Sequence, residues 1–200
     1  MTPSNRRLRA VTGRGSRSPE IESGAPALAT RLLQGVGTRL DHSAAVASQV
    51  DRVAELVEPG WRSAIRDAGW LHDVGYCPEL AVTGFHPLDG ARCLRVHNWS
   101  AETCRLVAWH TEPVEEARRH GLDEELSAEF ERPPGLAAAA LAWADLTSSP
   151  RGQRWDSERR LADILMRYPP GSIVHEATLA SLPALRRAAR IIEDLLVCAA

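Results

Sequence analysis

The residues able to do chemistry are concentrated in one stretch of the chain. Of seven histidines, five fall between His42 and His110: His42, His72, His86, His97 and His110. Asp73 follows His72 directly, in Trp70-Leu71-His72-Asp73-Val74-Gly75. Asp145 closes a run that is otherwise Ala, Leu and Trp, where a carboxylate is costly unless it is paired or holds a metal. Imidazole with carboxylate suits Mn, Fe, Zn, Co or Ni better than a dedicated calcium site. Taken singly, each residue has a plain structural use. A histidine on an apolar stripe is commonly a hydrogen-bonded core residue, and Asp145 could cap a turn. Taken together, these uses would have to coincide on the inward faces of five separate segments. His97 and His120 sit at helix ends among polar neighbours, and His175 lies in Ser-Ile-Val-His-Glu; all three are read as structural.

The elements that position these residues are helical. His42, Val46, Val50, Val53 and Val57 follow the spacing of one helical face, with Asp41 placed to cap and Pro59-Gly60 to end it. Trp61, Ile65, Ala68 and His72 make the next stripe. His86-Pro87 reads as N-cap and first residue of a third helix, whose inward side is Leu88, Ala91 and Leu94. Ser100 opens a fourth, with the stripe Thr103, Leu106, Val107, His110. The polar stretch from Glu112 to Glu131 reads as a short helix and a loop. Leu136 to Asp145 is apolar all round, which predicts a buried helix. Asp156 to Tyr168 and Ser172 to Val197 supply two more amphipathic helices. With no strand run and no repeat, the expected fold is all-α, a single-domain helical bundle. Histidines on separate helices of such a bundle can converge on one point.

Composition narrows the partners. The formal net charge of −2 argues against a protein whose main ligand is nucleic acid. Residues 1–24, rich in Arg, Ser, Gly and Pro, are expected to form a disordered basic tail, and 25–200 the folded domain. No run approaches the ~18 apolar residues of a membrane span, and no apolar core of a secretory signal follows the early arginines. Cys77, Cys93, Cys104 and Cys198 form no C-x-x-C pair, so reduced thiols and a cytoplasmic location are expected. All 24 basic residues are arginine, which removes every mechanism that needs a lysine.

The order H…HD…H…H…D resembles the HD-domain superfamily of metal-dependent phosphohydrolases. It is carried by His42 in Arg-Leu-Asp-His-Ser, His72-Asp73, His86 in His-Pro-Leu-Asp-Gly-Ala, His110 in Ala-Trp-His-Thr and Asp145 in Ala-Trp-Ala-Asp. Within that superfamily the chain is similar to the small bacterial symmetrical dinucleoside-tetraphosphate hydrolases. The resemblance spans about residues 38–155 and implies an HD-type bundle. It implies one ion held by His42, His72, Asp73 and Asp145, and a second held by Asp73, His86 and His110. Asp73 and His72 would then stand at the reaction, in which an activated water hydrolyses a phosphomonoester or phosphoanhydride of a nucleotide. Many relatives carry a lysine soon after the HD pair; here that stretch reads Val74-Gly75-Tyr76-Cys77. Arginine must take its place, and Arg92, Arg95 and Arg151 are the candidates to hold substrate. The same ligand order also serves HD-type di-iron oxygenases, and a third possibility is a nucleotide-binding sensor without turnover.

Overall fold

A computed structural model describes residues 24–199, so the proposed basic tail lies outside the described residues but for Gly24. Among these residues there are ten α-helices and no β-strand beyond one isolated bridge, between Ser148 and Arg154. The fold is an all-α helical bundle. No described helix is long and apolar enough to cross a membrane.

Helix α8 (Gly135–Leu146) is the centre of the bundle. Its residues from Ala139 to Leu146 are all buried, as its all-round apolar sequence requires. Around it pack α2 (Arg39–Val53), α3 (Arg62–Leu71), α5 (Ala101–Ala108), α9 (Ser157–Arg167) and the long α10 (Ile173–Cys198). The stripe Val46, Val50 and Val53 of α2 is fully buried, and so are Ile65 and Ala68 of α3. Each such side chain contributes roughly 1.5–3 kcal/mol for a Val- or Ile-sized group. An outer layer is made by α1 (Ala25–Leu33), α4 (His86–Val96), α6 (Val114–His120) and α7 (Asp123–Glu129).

Side-chain caps set three helix starts where the sequence puts an oxygen. Ser100 Oγ accepts the Thr103 N–H at 3.1 Å, Asp156 Oδ1 accepts from Arg159 N at 2.8 Å, and Ser172 Oγ accepts from His175 N. Other boundaries differ from the sequence reading. Asp41 is not a cap: it lies inside the first turn of α2, and Thr38 holds the cap position without a side-chain bond. His86 is the first helical residue of α4, after Phe85. Helix α2 ends at Val53, and Val57 reaches the core through the tight turn Ala54–Leu56. The stretch 112–131 folds as two short helices, not one, because Gly121 adopts φ 70° and closes α6.

One close approach fixes the distance between the HD pair and α4. A Cβ on Gly75 would overlap the carbonyl oxygen of His86 and stand 2.8 Å from the Gly90 nitrogen. A Cβ on Gly90 would lie 3.0 Å from the Gly75 nitrogen. Two glycines therefore let the turn Val74–Tyr76 rest directly on the first turns of α4.

Candidate metal centre

Five segments deliver six side chains to one place. His42 comes from the first turn of α2, and His72-Asp73 from the end of α3. His86 opens α4, His110 lies in the turn after α5, and Asp145 is near the end of α8. His42, His72, Asp73, His110 and Asp145 are buried, and His86 is partly so. Their donor atoms form two groups, His42 with His72 and Asp145, and Asp73 with His86 and His110, each within 4.8 Å. Asp73 Oδ1 lies 3.6 Å from Nε2 of both His72 and His86, and its Oδ2 lies 4.0 Å from His42 Nε2. Asp73 therefore borders both groups, though its own set is that of His86 and His110.

The hydrogen bonds of the imidazoles show what the arrangement suits. His72 Nδ1 lies 3.1 Å from the Gly69 carbonyl, and His110 Nδ1 lies 2.6 Å from that of Val107. A carbonyl only accepts, so each Nδ1 carries the proton and each neutral ring presents a bare Nε2 lone pair inward. His42 Nδ1 is likewise 3.2 Å from the Ser149 carbonyl. Backbone carbonyls behind histidine ligands act in this way at metal sites, fixing tautomer and ring orientation. The inward nitrogens then crowd together around the Asp145 and Asp73 carboxylates. His42 Nε2 faces Asp145 Oδ1 at 3.0 Å, and His72 Nε2 is buried with no partner at all. His110 Nε2 stands 3.1 Å from His86 Nε2. Lone pairs converging in a buried space need protons or cations between them. The donor set therefore fits a divalent transition metal.

The electrostatics agree. Burial pushes the His72 imidazole down to about 4, so the neutral, metal-binding form prevails near neutral pH. Burial and the neighbouring His110 lower His86 as well. Burial alone would raise Asp73, but Arg39 and the three nearby histidines outweigh it and hold this carboxylate well below the usual range. Asp145 is lowered in the same way, burial being overruled by the His42 hydrogen bond and by charges that include Arg160.

Above the cluster lies a cavity of about 110 Å³. Its walls carry three guanidinium groups, Arg39, Arg160 and Arg167. Arg39 Nη1 donates to Asp73 Oδ2 at 2.8 Å, and its plane covers the Tyr76 ring at 3.6 Å. Tyr76 in turn stacks on His86 at 3.9 Å. Arg160 is 5% exposed, donates to Asp163 at 3.0 Å, and has a buried Nε with no partner. Arg167 pairs with the same Asp163. Thr111 Oγ1 donates to Asp145 Oδ2 at 2.6 Å. To do so Thr111 and Glu112 adopt φ 55° and 53°, a left-handed conformation that is strained for a β-branched residue. Glu116 also lines the cavity, and burial raises its pKa.

The arginines expected to hold substrate do not line this cavity. Arg92 is paired with Glu125 and Glu129, and Arg95 with Glu129, so α7 neutralises both. Arg151 is exposed on the turn after α8. His97, His120 and His175 all stand outside the centre. His97 bonds the Cys93 carbonyl, His120 packs near Phe85, and His175 bonds the Tyr168 carbonyl. The sequence does carry a signal for the guanidinium groups that reach the site. Arg39 stands three residues before His42 on one helix face, and Arg160, Ile164 and Arg167 share a stripe of α9. Comparison with family models, curated proteins and solved structures finds no match to this chain.

Proposed function

We propose that this chain is a metal-dependent phosphohydrolase of the HD type, cleaving a phosphomonoester or phosphoanhydride of a nucleotide. The observation that carries the reading is two three-ligand groups meeting at Asp73 beneath a cavity walled by arginine. His42, His72 and Asp145 would hold one divalent ion, and Asp73, His86 and His110 a second. When bound, such ions polarise a phosphoryl oxygen and acidify a water.

The remaining work belongs to the chain. Arg160 and Arg167 face the cavity with guanidinium donors that match phosphoryl oxygens. Arg39 orients Asp73 and keeps it ionised, and its other N–H groups remain for substrate. Thr111 orients Asp145 by donating its hydroxyl to Oδ2. Glu116, held toward its neutral form by burial, is the group in the cavity wall suited to return a proton to the leaving oxygen. The arginine walls favour a phosphate- or phosphonate-bearing substrate over an uncharged polyol, so an oxygenase acting on phosphonates is separated from the hydrolase by the test below.

The test is metal analysis of the purified protein with a turnover screen in Mn, Fe, Co, Ni and Zn. The panel holds mononucleotides, dinucleoside polyphosphates, guanosine tetraphosphate and cyclic dinucleotides. Phosphate release from at least one member is expected. Binding without release from any of them would leave the sensor reading, and oxygen consumption with iron alone would favour the oxygenase.

A further inference from the structure

A second cavity, of about 640 Å³, opens where α2, α8, α9 and α10 meet. None of its lining residues lines the cavity above the metal ligands. It holds three arginines, Arg52, Arg154 and Arg159, beside the tryptophans Trp143 and Trp155. We infer that this cavity is a separate binding site for a nucleotide, gripped by its phosphates through the three arginines and by its base against the tryptophan-backed wall.

The arginines are free to act. Arg39, Arg62, Arg66, Arg92, Arg160 and Arg186 each have a carboxylate within 4.0 Å. Among the described residues, no such ion pair is formed by Arg52, Arg154 or Arg159. Arg52 Nη1 donates only to the neutral Gln49 Oε1, at 2.6 Å. Burial and the nearby charge of Arg154 lower the Arg52 pKa, so these two cations stand close enough to repel. Two acidic groups share the wall, Asp156 and Glu193. Asp156 is already engaged in capping α9. The side-chain charge of the lining is thus basic by one, in a chain whose formal total is −2. Unpaired guanidinium groups that repel one another are stabilised by a shared polyanion, and their fork geometry matches phosphate.

The rest of the wall is apolar, with Trp155 half-buried and the buried Trp143 behind the Arg52 guanidinium. The Arg159 guanidinium covers the Trp155 ring at 4.2 Å, and that of Arg52 lies 5.5 Å from the Trp143 ring. Bases stack on indole rings and on guanidinium planes alike. Leu196 and the 78%-exposed Val197 extend this surface. The volume falls in the range of small-molecule sites, roughly 300–1,000 Å³. A site of this size has room for a mononucleotide.

The test uses the full-length protein and the β,γ-imido analogue of ATP, read by quenching of tryptophan fluorescence and by calorimetry. Saturable binding is expected, weakened about tenfold for each arginine removed in Arg154→Ala and Arg159→Ala. Both positions are exposed, so helix content should be unchanged. Trp155→Phe should lose most of the quenching while calorimetry still records binding. Arg39→Ala, a change in the other cavity, should leave this affinity intact. The inference is overturned by any of four results. These are no saturable binding, wild-type affinity in the Arg154→Ala, Arg159→Ala double variant, equal loss in Arg39→Ala, or inorganic pyrophosphate binding as tightly as the analogue. None of these readouts depends on turnover, so the outcome stands apart from that of the hydrolase reading.

Discussion

His72 shows how a single side chain can reveal an intended partner. Its Nδ1 is committed to the Gly69 carbonyl, and its Nε2 is buried with nothing to bond. Asp73 is the carboxylate nearest to that nitrogen that also borders the second ligand group. Asp73→Ala should therefore abolish turnover and the tight binding of at least one metal, as read by elemental analysis. Asp73→Asn is measured beside it, because Asp73→Ala also strips the largely buried Arg39 of its carboxylate partner and should lower stability, as read by circular dichroism during unfolding. His97→Ala is the matched control, exposed and bonded only to its own helix, and should keep both activity and metal. Glu116→Gln should lower kcat by about 10²–10⁴-fold with metal content unchanged, the range expected for loss of a general acid. Equal activity of Glu116→Gln and wild type would remove the residue from the mechanism.

At the level of helices, inward stripes were legible because apolar spacing reports which face is buried. Val46, Val50, Ile65, Leu88, Leu94 and Leu106 all lie in the core. The same pattern placed His42, His72 and His110 inward, and the all-apolar run of α8 made Asp145 conspicuous. Arg160 was missed because hydrophobic spacing counts arginine as a solvent-facing residue. Its burial follows from packing beside Asp145 of α8, which lies near it only after folding, with Asp163 one turn along its own helix. Arg92 was misassigned for the converse reason. It follows the His86 motif in sequence, but its partner Glu129 is 37 residues away. The break between α6 and α7 rested on one glycine, too small a signal within a polar stretch. The caps were readable and carry a measurable share of stability. Ser100→Ala should cost about 1 kcal/mol in denaturant unfolding, since the Thr103 N–H then has only water to bond.

For the molecule as a whole, the metal centre joins segments from Arg39 to Asp145, so its occupancy bears on global unfolding. A metal at about a hundred times its dissociation constant adds roughly 2.7 kcal/mol. In a chain of this size that corresponds to a rise in Tm of about 5–10 °C, which a chelator should reverse. The metal-free protein should also be sensitive to acid. His72 has a folded pKa of about 4 against 6.5 for an unperturbed imidazole, so between these limits the unfolded chain binds the proton and the folded chain does not. The stability that His72 contributes to the metal-free protein is thus fully present above pH 6.5 and is lost as pH falls toward 4. A thermal midpoint that stays level from about pH 7 to 4.5 would contradict this linkage.

The contact between Gly75 and Gly90 has a consequence for how this sequence can drift. What a side chain at position 75 would strike is backbone, the His86 carbonyl and the Gly90 nitrogen, which no neighbouring substitution can trim away. At position 90 the nearest obstacle is 3.0 Å away, so a few tenths of an ångström of movement would admit a methyl group. The two glycines thus differ in their freedom to vary. In a library randomised at both positions and selected for metal binding, alanine should survive at 90 in a minority of clones. Position 75 should return glycine alone. Any lineage that keeps His86 beside the HD pair is then tied to one residue at position 75 that binds nothing and reacts with nothing.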